Sequence, residues 1–163
     1  MTTLIVPLPL TDQVVAPIRA EHDWSAGRGV PAHITLFGPF VSPAEVTSDL
    51  LGGLRELFEL EAAPLLSFGE LRRLKDVACL LPAKIQLLAR LTGSVGRLRP
   101  DLTQTVRRYH LTVARACDDA LFAHVTAELQ PHLPLAEQAT GVRLVERHRD
   151  GTVGTLGEFA FAG

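Results

Sequence analysis

His33-Ile34-Thr35-Leu36 and His110-Leu111-Thr112-Val113 decide the reading of this chain. Each runs histidine, aliphatic, threonine, aliphatic. Side chains alternate across a strand, so in each copy the histidine and threonine share one face and the two aliphatic residues share the other. With the aliphatic faces packed under helices, the polar faces meet in one cleft holding two imidazoles and two hydroxyls. A threonine hydroxyl donates to a phosphate oxygen from a stiff β-branched stem. Imidazole, with an unperturbed pKa of about 6.5, gives or takes a proton near neutral pH. One imidazole on each side of phosphorus suits in-line displacement: one deprotonates the attacking water or hydroxyl and the other protonates the departing oxygen. The residues alone leave open which histidine starts protonated. Among six histidines, two such matches arise by chance about one time in a hundred.

Outward from the motifs, the sequence predicts a strand over residues 4–10, a Thr11-Asp12 cap and a short helix over 13–23, then the first motif strand over 30–40. Ser42-Pro43-Ala44-Glu45 has the order of a capping box and predicts a helix over 43–60. Residues 65–74 and 77–81, joined at Lys75-Asp76, read as a hairpin, and 83–98 as a helix with Ile85, Leu88, Leu91 and Val95 on one stripe. The second motif strand covers 107–115, and Asp118-Asp119 opens a helix that Pro131 and Pro134 close. A final hairpin, 142–149 with 152–161, turns at Asp150-Gly151. The order of elements from about residue 77 repeats that of the first half. This mixed order predicts an α+β fold of one domain spanning residues 1–163, with two lobes, two antiparallel sheets flanked by helices, and a pseudo-two-fold duplication around a central cleft.

The chain has 163 residues, 47% of them hydrophobic, with a net charge of -2. This is enough to bury one core, and too little positive charge for a polybasic footprint on long nucleic acid. The apolar start, residues 4–10, is far shorter than the ~20 residues of a membrane span, so the expectation is a cytoplasmic protein with no membrane partner. Cys79 and Cys117 read as reduced, buried thiols. No His-x-His, His-Glu-x-x-His or paired-cysteine spacing exists, and Gly151, Gly154 and Gly157 are followed by no Lys-Ser or Lys-Thr. Neither a metal nor a cofactor is expected.

The paired motifs, with Pro31-Ala32 before the first, Phe37-Gly38-Pro39-Phe40 after it and the run from His110 to Arg115, resemble the two-histidine (2H) phosphoesterase superfamily. The similarity is greatest to its bacterial RNA 2',3'-cyclic phosphodiesterase or 2'-5' RNA ligase branch. The resemblance implies a bilobal α+β fold and metal-independent opening of a cyclic phosphodiester on a small nucleotide or RNA end, commonly to the 2'-phosphate. It implies His33 and His110 as the catalytic pair and Thr35 and Thr112 as phosphate-binding residues. Tyr109 stands where many relatives have proline. The alternatives are 2'-5' RNA end ligation or 2'-5' phosphodiester cleavage in the same cleft, and a non-catalytic module that binds nucleotides or RNA ends.

By parity Phe37 joins His33 and Thr35 on the cleft face, as a stacking surface for a base, the alternative being that Gly38-Pro39 turns the chain and leaves it in the core. Arg108 joins His110 and Thr112 there, as a source of positive charge. Arg115 has the opposite parity, but it matches a basic position in many relatives and reaches the cleft if the strand end bends. Trp24 reads as core packing, the alternative being a rim residue over a nucleobase, and Tyr109 as structural.

Overall fold

Pro9 opens a helix instead of prolonging the first strand, because proline's missing N–H costs nothing in a helix's first turn. The computed structural model describes residues 1–103, 106 and 108–162. In it the strand expected over 4–10 is β1 (Thr2–Pro7), followed at once by α1 (Pro9–His22). The cap of α1 is not Thr11-Asp12. The Glu137 carboxylate, from far along the chain, accepts the backbone N–H of Leu10 at 3.0 Å and of Thr11 at 2.7 Å, a negative group where the helix dipole favours one.

The chain continues as β2 (His33–Phe37), α2 (Ser48–Glu59), β3 (Leu65–Phe68), β4 (Leu71–Leu74), β5 (Val77–Leu80), α3 (Gln86–Leu98), β6 (Leu111–Ala114), α4 (Asp119–Leu129), β7 (Leu135–Gln138), β8 (Gly141–Arg147) and β9 (Val153–Ala160). Three differences from expectation have local causes. Glu45 accepts from the N–H and hydroxyl of Ser42, but this closes only a single 3-10 turn at Pro43–Glu45; α2 starts later, capped by Thr47 on the Leu50 N–H. The expected strand over 65–74 breaks at Gly69-Glu70 into β3 and β4, which join different ladders. β7 escapes the sequence reading because its buried position is Glu137, not a hydrophobe. Arg107, part of the expected second motif strand, lies outside the described residues.

Among the described residues three antiparallel ladders form: β2-β1-β8-β9, β4-β5-β6 and β3-β7. Their order exposes the duplication. Residues 2–74 run β1-α1-β2-α2-β3-β4, and residues 77–147 run β5-α3-β6-α4-β7-β8. Each half gives its last strand to the other's sheet: β4 pairs with β5, and β8 with β1. The equivalent strands β3 and β7 pair antiparallel with each other, Leu65 opposite Gln138 through Phe68 opposite Leu135. The equivalent helices are exchanged as well, α1 packing on β6 and α3 on β2. The fold is therefore the mixed α+β arrangement expected, with antiparallel sheets flanked by helices, and the second sheet interrupted where β3 turns into β4.

One continuous apolar core runs through both halves, from Leu4, Val6 and Ile34 to Leu80, Leu111 and Val113. Phe58 on α2 is fully buried against Phe159 and Phe161, with ring centroids 5.9 and 6.0 Å away. No helix among the described residues is long and apolar enough to cross a membrane.

Candidate active site

β2 and β6 are each the edge strand of their sheet, and they lie against one another. Strand exchange thus brings the two motifs together from opposite halves. The parity expected within each holds at first: Ile34 and Leu111 are fully buried, whereas His33, Thr35, His110 and Thr112 are part-exposed.

Both imidazoles are held in the same way. Nδ1 of His33 lies 2.7 Å from the carbonyl of Pro31, and Nδ1 of His110 lies 3.0 Å from that of Arg108, two residues upstream in each case. A carbonyl only accepts, so Nδ1 is the protonated nitrogen in both rings, and Nε2 is left as the nitrogen that exchanges a proton with a ligand.

Both strands also carry a bulge at the same place. Thr35 pairs with Ile5 but Phe37 with Leu4, so Leu36 is extra; Thr112 pairs with Cys79 but Ala114 with Ala78, so Val113 is extra. A bulge inserts one residue and reverses the parity beyond it. This overturns the expectation for Phe37. It falls opposite the core residue Leu4, is 1% exposed, and packs edge-on against Phe40 at 5.7 Å. It does not line the cleft.

On the first half, His33 and Thr35 line a hollow of about 280 Å³ with Thr3, Ile5, Val145 and Arg147. On the second, Arg72, Cys79 and Thr112 stand side by side across β4, β5 and β6 and so share a sheet face. On that side a hollow of about 340 Å³ is lined by Arg72, Arg73, Leu74, Leu81 and Arg108. Arg108 is exposed there, and its carbonyl also orients His110. A larger hollow of about 380 Å³, beside Pro7, Thr140 and Phe159, contains no histidine and is bordered by the Arg143–Glu158 ion pair at 2.8 Å.

Burial holds His33 well below the usual imidazole range, at about 4. The hydrogen bond to the Pro31 carbonyl and the charge of Asp23 oppose this, while the positive charge of Arg19 and that of His110 add to it. His33 is neutral at neutral pH, and His110 is close enough for its charge to be felt there. Burial also pushes the Cys79 thiol up to about 11, so this neighbour of Thr112 stays protonated. Cys79 and Cys117 are both free and buried.

Sequence reasoning missed a buried cluster that links the halves. Asp23, at the end of α1, accepts from Arg19, from the N–H and hydroxyl of Ser25, and from Nε of Arg115 at 2.9 Å. Burial alone would raise its pKa, but the hydrogen bonds from Ser25 and Arg115 outweigh it and hold the carboxyl below its ordinary value. The Arg115 backbone N–H donates to the His22 carbonyl, so Arg115 is fastened to the end of α1. Trp24, expected in the core, is 50% exposed instead. The guanidinium groups of Arg28, Arg115 and Arg147 sit 5.0, 5.3 and 5.4 Å from its ring centroid. Only the proximity of three chain segments, invisible in the sequence, creates this group. Tyr109 is structural, its hydroxyl 2.8 Å from that of Thr92 on α3.

Comparison with known proteins follows the duplicated architecture. Residues 6–151 match the 2'-5' RNA ligase superfamily. The chain belongs to that superfamily. No curated protein matches it by sequence. Several solved structures share the superfamily fold over nearly the full length of both chains. A crystal structure described as a phosphoesterase has a TM-score of 0.64 at 18% identity, covering 99% of this chain and 98% of the other. TT0787 of Thermus thermophilus has a TM-score of 0.59 at 21% identity, with the same coverage. LigT of E. coli in complex with 3'-AMP has 0.61 at 18%, again covering 99% and 98%. Within the superfamily fold, the two motif strands are where this chain sets its two imidazoles.

Proposed function

We propose that this protein is a phosphoesterase that opens a 2',3'-cyclic phosphodiester on a small nucleotide or RNA end. The observation that carries the reading is the pair of equivalent imidazoles on adjoining edge strands. Each has Nδ1 tied to a carbonyl two residues upstream, and each is followed by a threonine on the same face.

Burial keeps His33 uncharged, so it is the base; the role of acid then belongs to His110. Nε2 of His33 takes a proton from water as the water oxygen bonds to phosphorus. The P–O3' bond breaks, Nε2 of His110 gives its proton to O3', and the product is a 2'-phosphate with a free 3'-hydroxyl. Thr35 and Thr112 donate to the non-bridging oxygens, and Arg108 supplies positive charge to the dianionic product. In this scheme the imidazoles and arginines supply the acid, the base and the charge without a metal ion. The two buried free thiols fit a reducing cytoplasm.

Ligands of nucleotide size fit this reading, since LigT of E. coli has been crystallised with 3'-AMP and with ATP. The superfamily's description as a 2'-5' RNA ligase favours a second reading, the joining or cleaving of 2'-5' linkages in the same cleft. Turnover of nucleoside 2',3'-cyclic phosphates with and without EDTA, beside RNA ends bearing a cyclic phosphate and a 5'-hydroxyl, separates them. EDTA-resistant release of a 2'-phosphate supports hydrolysis. Joined RNA as the sole product supports ligation, and tight binding with neither product overturns both.

A further inference from the structure

Three guanidinium groups gathered around one indole ring form a concentration of like charge. Part of it is balanced. Arg19 and Arg115 are matched by Asp12 and Asp23, with contacts of 3.0 Å from Arg19 to Asp12, 3.1 Å from Arg19 to Asp23 and 2.9 Å from Arg115 to Asp23. Arg28 and Arg147 have no carboxylate within ion-pair distance among the described residues, yet both lie over the Trp24 ring at 5.0 and 5.4 Å. The negative face of the indole offsets some of their repulsion. It does not neutralise two charges, and Trp24 is half-exposed, so the group opens to solvent.

Its position is built into the fold. Arg147, the last residue of β8, lines the hollow that holds His33 and Thr35. Arg28 rests against the turn between β8 and β9, where a Cβ added at Gly151 would collide with its guanidinium, and the backbone there has a φ of +83°. The left-handed backbone of the turn is what favours glycine there, and the Arg28 guanidinium packs against it. Arg115 is fixed from the other half by Asp23. A planar guanidinium fork matches phosphate oxygens better than any other side chain does.

We propose that Arg28, Arg115 and Arg147, gathered on Trp24 at the rim of the His33 hollow, hold a second phosphate group of the substrate, one sugar away from the reacting phosphorus. Because it presupposes a nucleotide in the cleft, the assignment rests on the reading proposed above. The phosphate is either the 5'-phosphate of a mononucleotide or the internucleotide phosphate of an RNA end. The substrate class is thereby narrowed to ligands carrying two phosphates on successive positions of the chain.

Equilibrium calorimetry on the intact protein tests this without turnover. The probes are adenosine 2'-monophosphate, adenosine 2',5'-bisphosphate and a diadenylate ending in a 2'-phosphate. The wild type should bind at least one of the two-phosphate ligands about tenfold or more tightly than the monophosphate. Arg28→Gln and Arg147→Gln should each reduce that ratio by about tenfold, the effect of losing one charged hydrogen bond. Arg28→Lys, which keeps the charge but not the fork, should recover part of it. Preference for the bisphosphate assigns a terminal 5'-phosphate, and preference for the diadenylate assigns an internucleotide one. Equal affinity of the wild type for all three ligands, or a ratio untouched by both glutamine variants, overturns the subsite. If the binding ratio holds but no cyclic phosphate is hydrolysed, the catalytic reading fails and the phosphate subsite stands.

Discussion

The two motif strands are copies with different surroundings. β2 and β6 share the edge position, the upstream carbonyl on Nδ1, the exposure pattern and the bulge after threonine. They differ in what the bulge delivers and in what presses on the histidine. After Thr35 the bulge sends Phe37 into the core; at the same place after Thr112 stands the small Ala114, and Arg115 follows to reach Asp23. His33 sits in a lined hollow near the charge of Arg19 and is held neutral. Duplication thus provides two matching imidazoles, and in the proposed scheme their different surroundings set them different tasks, acid and base at one phosphorus.

The sharpest way to break this comparison is to remove one ring at a time. His33→Ala and His110→Ala should each lower kcat for a 2',3'-cyclic nucleotide by about 10² to 10⁴, measured by single-turnover assay; an active variant of either kind removes that ring from the mechanism. The link between the halves is the next target. Asp23→Asn leaves Arg19 and Arg115 short of a buried counter-charge and should lower stability by about 3 to 5 kcal/mol in urea unfolding, and wild-type stability in the variant would show that the halves hold together without it.

The pH response tests the inequality itself. His33 has a folded pKa of about 4 against about 6.5 unfolded, so below pH 6.5 the unfolded chain binds a proton the folded one refuses. Its effect on stability is absent above that range and grows as pH falls, reaching about 3 kcal/mol of destabilisation at pH 4 and below. The stability lost between pH 7 and pH 4 in urea titrations of wild type and His33→Gln should differ by this amount, and the acid limb of kcat/KM should fall near pH 4. Equal losses would mean His33 titrates like a free imidazole. The smallest effect belongs to the hydroxyls. Thr35→Ala and Thr112→Ala each remove a hydrogen bond to a charged oxygen, about 1.5 to 3 kcal/mol, which should appear in kcat/KM as roughly tenfold to a hundredfold. A variant as active as wild type would detach that threonine from the phosphate.

Much of this site is legible in the residues because its signal is local. Alternation over four residues is enough to set His33 with Thr35 and His110 with Thr112, and the repeated order of elements announces the duplication. The same rule misplaces Phe37, since parity survives only until an extra residue is inserted, and the insertion is defined by the partner strand β1. Trp24 is misread for a related reason: an indole is ordinarily buried, and the three arginines that make its exposed place favourable come from residues 28, 115 and 147. Glu137 as the cap of α1 is likewise a meeting of distant segments.

Local chemistry, the strand period and the paired motifs are properties of short stretches, and the chain alone determined them: two His-x-Thr units on strands of a duplicated α+β fold. Tertiary structure decided which strands pair, and with that the exchange of β4 and β8, the reversal at both bulges, the burial that neutralises His33 and the arginines around Trp24. Each of these depends on contacts between residues far apart in sequence, whose closeness is set by packing the whole core at once.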